Sequence, residues 1–255
     1  MPTSISWTEE TWNPVTGCTP ISEACRYCYA KASVPLQQAG RGREKYINGF
    51  NLTLHPEYLL EPRRWRTPKL IFVCSMSDLF HDGVPFDFID RVMDVVKSSV
   101  HTFQFLTKRA ERMGEYFASR PIPKNLWLGV TVENNLAKKR IDILRNLNAP
   151  IRFLSCEPLL EDLGEIDLTG IHWVIVGGEK GPANDISKAR RMKQEWVLSL
   201  REQIEKQGAL FHFKQWGSWC SDGVARHKDP DNNKLNGEII QPIPPKYESE
   251  PTLFG

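Results

Sequence analysis

Short apolar runs recur along the chain from residue 69 onward, and most of the intervals between them carry apolar residues at helical spacing. The runs are Leu70 to Cys74, Thr102 to Leu106, Leu126 to Val130, Ile151 to Leu154, Trp173 to Val176 and Leu210 to Phe213. Their length and their β-branched and aromatic content predict strands. Helices are predicted over Phe88 to Val96, over Asn135 to Leu147 through Leu136, Ile141, Leu144 and Leu147, and over Trp196 to Ile204, with Gly208 as the stop of the last. A first strand is expected around Thr11 to Val15. This alternation predicts an α/β fold with a parallel (β/α) sheet, a partial or near-complete TIM-type barrel of about six to seven units.

Each run gives way to polar residues at its C-terminal end. The first strand end leads into the segment Cys18-Thr-Pro-Ile-Ser-Glu-Ala-Cys25-Arg-Tyr-Cys28, which holds three of the six cysteines. The later ends carry Ser75, Met76, Ser77 and Asp78; Lys108 and Arg109; Glu133; Ser155 and Glu157; Gly177, Gly178 and Glu179; and Lys214, Gln215 and Trp216. A β/α barrel builds its active site from the C-terminal ends of its strands, so these residues are the candidate site.

Three soft thiolates on one loop can hold one face of a metal centre. Structural zinc prefers four closed ligands, and the sequence has no second CxxC or CxxH. The open fourth position suits a 4Fe-4S cluster whose last iron binds something other than protein. A zinc knuckle completed by a distant His or Cys, or three unligated thiols, are the alternatives.

With 255 residues, 40% of them hydrophobic, the chain has enough apolar material for one barrel-sized domain. The barrel is expected over residues 1–217, with a polar, Pro/Asn/Asp-rich extension over 218–255 that wraps it, closes the substrate opening or is disordered. A net charge of +2 gives no strong global field towards nucleic acid or membrane. Local positive charge lies at Gly40 to Arg43 and Pro62 to Arg66, which face either solvent or a phosphate-bearing substrate. The N-terminal stretch lacks a basic region followed by an apolar run, and no apolar run reaches transmembrane length. A cytoplasmic protein with reduced thiols and no membrane association is expected.

The run from Trp12 to about Gly217 resembles a phage-associated three-cysteine family placed with the radical S-adenosylmethionine (SAM) proteins. The phrases that carry the resemblance are Trp12-Asn-Pro-Val-Thr-Gly-Cys18, Cys25-x-x-Cys28-Tyr-Ala30, Ser75-Met-Ser-Asp78-Leu-Phe80, Leu106-Thr-Lys-Arg109, Gly129-Val-Thr-Val-Glu133, Glu157-Pro-Leu159, Val176-Gly-Gly-Glu179 and Phe213-Lys-Gln-Trp-Gly217. Tyr27 directly before Cys28 also matches the superfamily, while the gap between Cys18 and Cys25 is wider than its commonest spacing.

The resemblance implies that Cys18, Cys25 and Cys28 hold a 4Fe-4S cluster, and that SAM lies on the open iron and is cleaved reductively with an electron from an external donor. It places Ser75, Met76, Ser77 and Asp78 near the methionine amino group and Lys108 near a carboxylate or phosphate. Glu133 is the candidate for a ribose hydroxyl, with Ser155, Glu157, Gly177 and Gly178 further along the SAM wall. Arg109, Glu179, Lys214, Gln215 and Trp216 would face the substrate, a nucleotide or nucleic acid among the candidates, with Trp216 stacking on a ring. The rival readings are a zinc- or iron-sulfur-containing nucleic-acid-binding protein without SAM cleavage, and a barrel enzyme using strand-end carboxylates for acid–base work beside structural zinc.

Overall fold

The computed structural model describes residues 3–39, 44–182 and 184–248; the basic run at Gly40 to Arg43 and the last residues of the tail lie outside them. Seven parallel strands pair in sequence order: β1 (Glu10–Trp12), β2 (Leu70–Val73), β3 (Thr102–Thr107), β4 (Leu126–Thr131), β5 (Arg152–Cys156), β6 (Trp173–Gly177) and β7 (Leu210–Gln215). Among the described residues five α-helices accompany them, α1 (Tyr29–Ala39), α2 (Phe86–Lys97), α3 (Ala110–Phe117), α4 (Lys139–Arg145) and α5 (Gln194–Lys206). β1 and β7 do not pair, so the sheet is a curled half-barrel with two edges and not a closed ring.

Both faces of the sheet are buried, which is why its strands read as apolar runs rather than alternating patterns. On the helix side Ile71, Val73, Phe103, Phe105, Val174 and Val176 join one large core with the apolar stripes of α2 and α5. On the concave side Trp7, Phe72, Trp127, Phe153 and Trp173 form an aromatic layer. Gly129 makes room for it, since a Cβ there would stand 2.5 Å from the Phe153 ring.

The expected first strand, Thr11 to Val15, breaks in the middle. Pro14 has no N–H to donate, and the Asn13 side chain turns instead to cap the end of β2. Val15–Thr16 then pairs antiparallel with Thr53–Leu54, outside the main sheet. Between β5 and β6 the described chain runs without a helix; Gln203 of α5 and Gln207 just after it accept from the Ile166 and Leu168 amides there.

Beyond residue 217 the tail packs as a strap. Leu235 enters the core, the Ile240 carbonyl accepts from the Phe213 amide on edge strand β7, and the Pro242 carbonyl accepts from the Trp173 indole at 3.0 Å. Its described part reaches the other edge, where Lys246 pairs with Glu9 at 3.1 Å and the Tyr247 amide donates to Thr102. The last contacts fall at the starts of strands, so this part of the tail crosses the end of the half-barrel opposite the cysteine loop. Among the described residues no helix is long and apolar enough to cross a membrane.

Candidate active site

The end of β2 folds back sharply because Cys74 adopts φ +61°, a left-handed conformation. Ser75 to Ser77 therefore lie against the start of the cysteine loop. The Asn13 carboxamide oxygen accepts from the Ser75 hydroxyl at 3.2 Å and the Met76 amide at 3.0 Å. Gly17 donates its amide to the Met76 carbonyl, and the Ser77 hydroxyl donates to the Gly17 carbonyl at 2.5 Å. Only glycine fits there: φ is +77°, and a Cβ would stand 2.2 Å from the Asn51 carbonyl oxygen.

From Gly17 onward the loop is anchored by other strand ends. Thr19 bonds His81 Nε2 at 2.8 Å. Arg109, at the end of β3, donates through Nη2 to the Thr19 carbonyl and hydroxyl at 3.2 Å each, and through Nη1 to Asp78 at 3.2 Å and to Cys18 Sγ at 3.6 Å. Asp78 also accepts from the Thr107 hydroxyl at 2.7 Å and from the amides of Lys108 and Phe80. On the far side Arg190 forks onto Glu179 and reaches the Glu23 carbonyl at 3.0 Å. The Tyr29 hydroxyl donates to the Ser75 carbonyl.

The result is a cavity of about 370 Å³ over the C-terminal strand ends. Cys18, Cys25 and Cys28, all half-buried and reduced, lie along its wall. Asp78, Glu157 and Glu179 contribute negative charge to it, and Lys108, Arg109, Lys180 and Lys214 positive charge. Most of these are already paired, Glu157 with Lys214 at 2.7 Å among them. Lys108 has no ion pair among the described residues, and Thr131 and Ser155 bring hydroxyls to the same wall.

The thiols differ electrostatically. Burial pushes the Cys18 thiol up and Asp78 adds to the rise, with Arg109 offsetting part of it. Burial also acts to raise Cys25, but the Ile21 amide and the Lys108 ammonium outweigh it, and its pKa falls below the usual thiol value. The buried Arg109 is held charged: desolvation works against it, and Asp78 and Cys18 overcome that.

Several expectations need correction. Arg109 is buried and committed to Asp78 and the cysteine loop, so it positions the loop instead of offering its fork to substrate. Trp216 belongs to the core; it packs edge-on against Phe213 and donates its indole N–H to the Lys234 carbonyl. Glu133 is fully buried outside the lining, with one carboxylate oxygen 2.7 Å from Arg140 and the other without a hydrogen bond among the described residues. Burial acts to raise its pKa, yet Lys108, the nearby Ser22 side chain and Arg140 together hold it below the usual carboxylate value.

Met76 is buried behind Ser75 and Ser77, which do line the cavity. Gly178 does line the cavity, whereas Gly177 lies outside the lining at a strand irregularity. A Cβ on Gly177 would stand 3.2 Å from the Glu157 carboxylate, and one on Gly178 would stand 1.9 Å from the Trp216 carbonyl oxygen. The Arg63, Arg64 and Arg66 side chains are exposed and do not line the cavity. Residues the sequence did not single out include Tyr29 and Lys180, which also line the cavity.

Among the described residues no three His, Cys, Asp or Glu side chains form a group that could hold a metal ion. A single tetrahedral ion needs its donors to converge on one point, whereas a cluster gives each thiolate its own iron. All three thiols line the one cavity, and their soft sulfur donors are of the kind that iron–sulfur clusters take. The family model described as "Protein of unknown function (DUF5131)" matches residues 2–244. No curated protein and no solved structure matches the chain.

Proposed function

We propose that this chain, which belongs to the DUF5131 family of proteins of unknown function, is a radical SAM enzyme whose cluster ligands are Cys18, Cys25 and Cys28. The observation that carries the reading is that all three thiols line one cavity with the C-terminal strand ends, while the loop bearing them is tied to those ends by Arg109, His81, Ser77 and Arg190. The resemblance to phage-associated three-cysteine proteins supports the same reading.

When bound, a 4Fe-4S cluster would supply a site for the amino and carboxylate groups of SAM and, once reduced by an external donor, the electron for carbon–sulfur cleavage. The chain's own residues do the rest. Lys108 offers an unpaired ammonium to a carboxylate, and the Thr131 and Ser155 hydroxyls supply hydrogen bonds along the wall. Arg109 holds the Thr19 carbonyl and hydroxyl and reaches Cys18 Sγ. Trp7, Phe50, Phe72 and Leu106 give the cavity an apolar part that would keep bulk water from the reacting atoms. A nucleotide or nucleic acid is the proposed substrate class, and the cytoplasm the proposed setting, where thiols stay reduced.

The test is anaerobic cluster reconstitution, incubation with SAM and a strong reductant, and chromatography for 5′-deoxyadenosine. Iron with acid-labile sulfide and a product that disappears in Cys28→Ala is the expected result. A protein that takes up zinc alone would sink the reading.

A further inference from the structure

A second chamber of about 650 Å³ adjoins the cysteine-lined cavity, and Ser4, Lys180, Lys214 and Gln215 line both. Its chemistry is different. The first cavity has a wall of Trp7, Phe50, Phe72 and Leu106, whereas apart from Gly217 and Pro230 every residue around the second carries a polar side chain. The tail supplies much of it, through His227, Lys228, Asp229, Asn232 and Asn233.

The charges there do not cancel. Lys214 is taken up by Glu157, and Asp229, the one carboxylate among the described residues that line the chamber, lies 3.9 Å from Arg226. Lys180 and Lys228 are exposed and have no ion-pair partner among the described residues. Asn232 spends its amide on Gly217, but the Asn233 and His227 side chains have no hydrogen-bond partner among the described residues. Two unpaired ammonium groups amid neutral donors suit a compact, multiply charged anion with several acceptor oxygens. An apolar or cationic group would leave those donors unmatched.

We propose that this chamber is the vestibule for substrate and that it binds the phosphate of a phosphate ester, with Lys180 and Lys228 as the charged contacts, while the organic part reaches past Lys214 and Gln215 to the cysteines. The proposal rests on the radical SAM reading only in taking the cysteine-lined cavity as the reacting site. Its readout needs no cluster.

The experiment is calorimetric titration of the cluster-free full chain with thymidine 5′-monophosphate, thymidine and a short oligothymidylate. The wild type is expected to bind the phosphorylated ligands more tightly than thymidine. The double variant Lys180→Ala/Lys228→Ala should weaken them about tenfold to a hundredfold, as two charge-assisted contacts imply. The salt slope for the oligothymidylate should fall by about two. Binding of the monophosphate identifies a free nucleotide as the source, and binding of the oligothymidylate alone identifies a polynucleotide; both support phosphate recognition. A second double variant, Lys97→Ala/Lys206→Ala, removes the same charge from two exposed helix ends and should bind as the wild type does.

Unchanged affinity in the first variant, equal binding of thymidine, or an equal loss in the second variant overturns the proposal. Phosphate binding that persists without 5′-deoxyadenosine formation under the reductive assay would count against the radical reading alone.

Discussion

Arg109 Nη1 stands 3.6 Å from Cys18 Sγ and 3.2 Å from the Asp78 carboxylate, so one guanidinium joins the first thiol of the loop to the turn after β2. Both partners of the ion pair are buried, at 6% exposure for each residue. A buried pair of this kind adds little net stability over an apolar pair, but breaking it strands a charge.

Arg109→Gln and Asp78→Asn are each expected to cost about 3 kcal/mol in urea denaturation of the cluster-free protein. The double variant should cost clearly less than the two losses together, because the second change removes the charge that the first left alone. Strictly additive losses would show that the two residues are not coupled.

Iodoacetamide labelling coupled to peptide mapping reads the thiols individually. Cys18, Cys25 and Cys28 are accessible, whereas Cys74, Cys156 and Cys220 are buried and should label only on unfolding. Burial raises Cys156 further, to about 12. As pH rises, Cys25 should react before Cys18, since its pKa is lowered and that of Cys18 is raised. Loading with iron and sulfide should protect the three loop cysteines together; protection at one alone would contradict a shared cluster.

Gly178→Ala should destabilise by about 3 kcal/mol, because its Cβ would overlap backbone that the neighbouring strand end cannot easily move. Gly177→Ala should cost only about 1 kcal/mol, since its nearest neighbour is the end of the Glu157 side chain. Thermal or urea midpoints of the two variants decide it; equal losses would refute the distinction.

His212 sits on the concave face of β7, bonded to the Ser6 hydroxyl through Nε2 at 3.1 Å and to the Pro242 carbonyl through Nδ1 at 3.2 Å. Burial holds it neutral and lowers its pKa to about 4. The unfolded chain therefore takes up a proton near its ordinary value of about 6.5 while the folded chain does not, and stability falls as pH drops from there to about 4. The loss should approach 3 kcal/mol, on the order of the shift. In urea denaturation His212→Asn should flatten this part of the pH profile; an unchanged profile would assign it to other groups.

The sheet is legible in the sequence because a parallel strand covered on both faces is a bare apolar run, and each of the six later runs coincides with a strand to within a residue or two. Helix α3 is not legible, because Ala110, Met113, Tyr116 and Phe117 give too few repeats for a period, and α1 carries Pro35 inside it. The strand-end rule finds the neighbourhood of the site but not the direction of each side chain. Glu133 turns to Arg140 and Trp216 to Phe213 because strand alternation lapses once the chain leaves the ladder, and partners from other segments then decide. The pairing of Arg109 with Asp78 is tertiary in the same sense, set by β2 and β3 lying side by side.

The strap that reaches from β7 to Glu9 also settles how the molecule would bear a pull. Glu9 and Lys246 are separated by 237 positions, and their ion pair is more than one-third exposed on each side. Stretched from residues near these two, the chain would carry its first load through that wet ion pair, not the ladders of the sheet. The strap should peel away at low force, and the Trp173 indole would lose the Pro242 carbonyl before any strand separates. The half-barrel is thus held like a cuff with its clasp on the outside, opposite the thiols it serves.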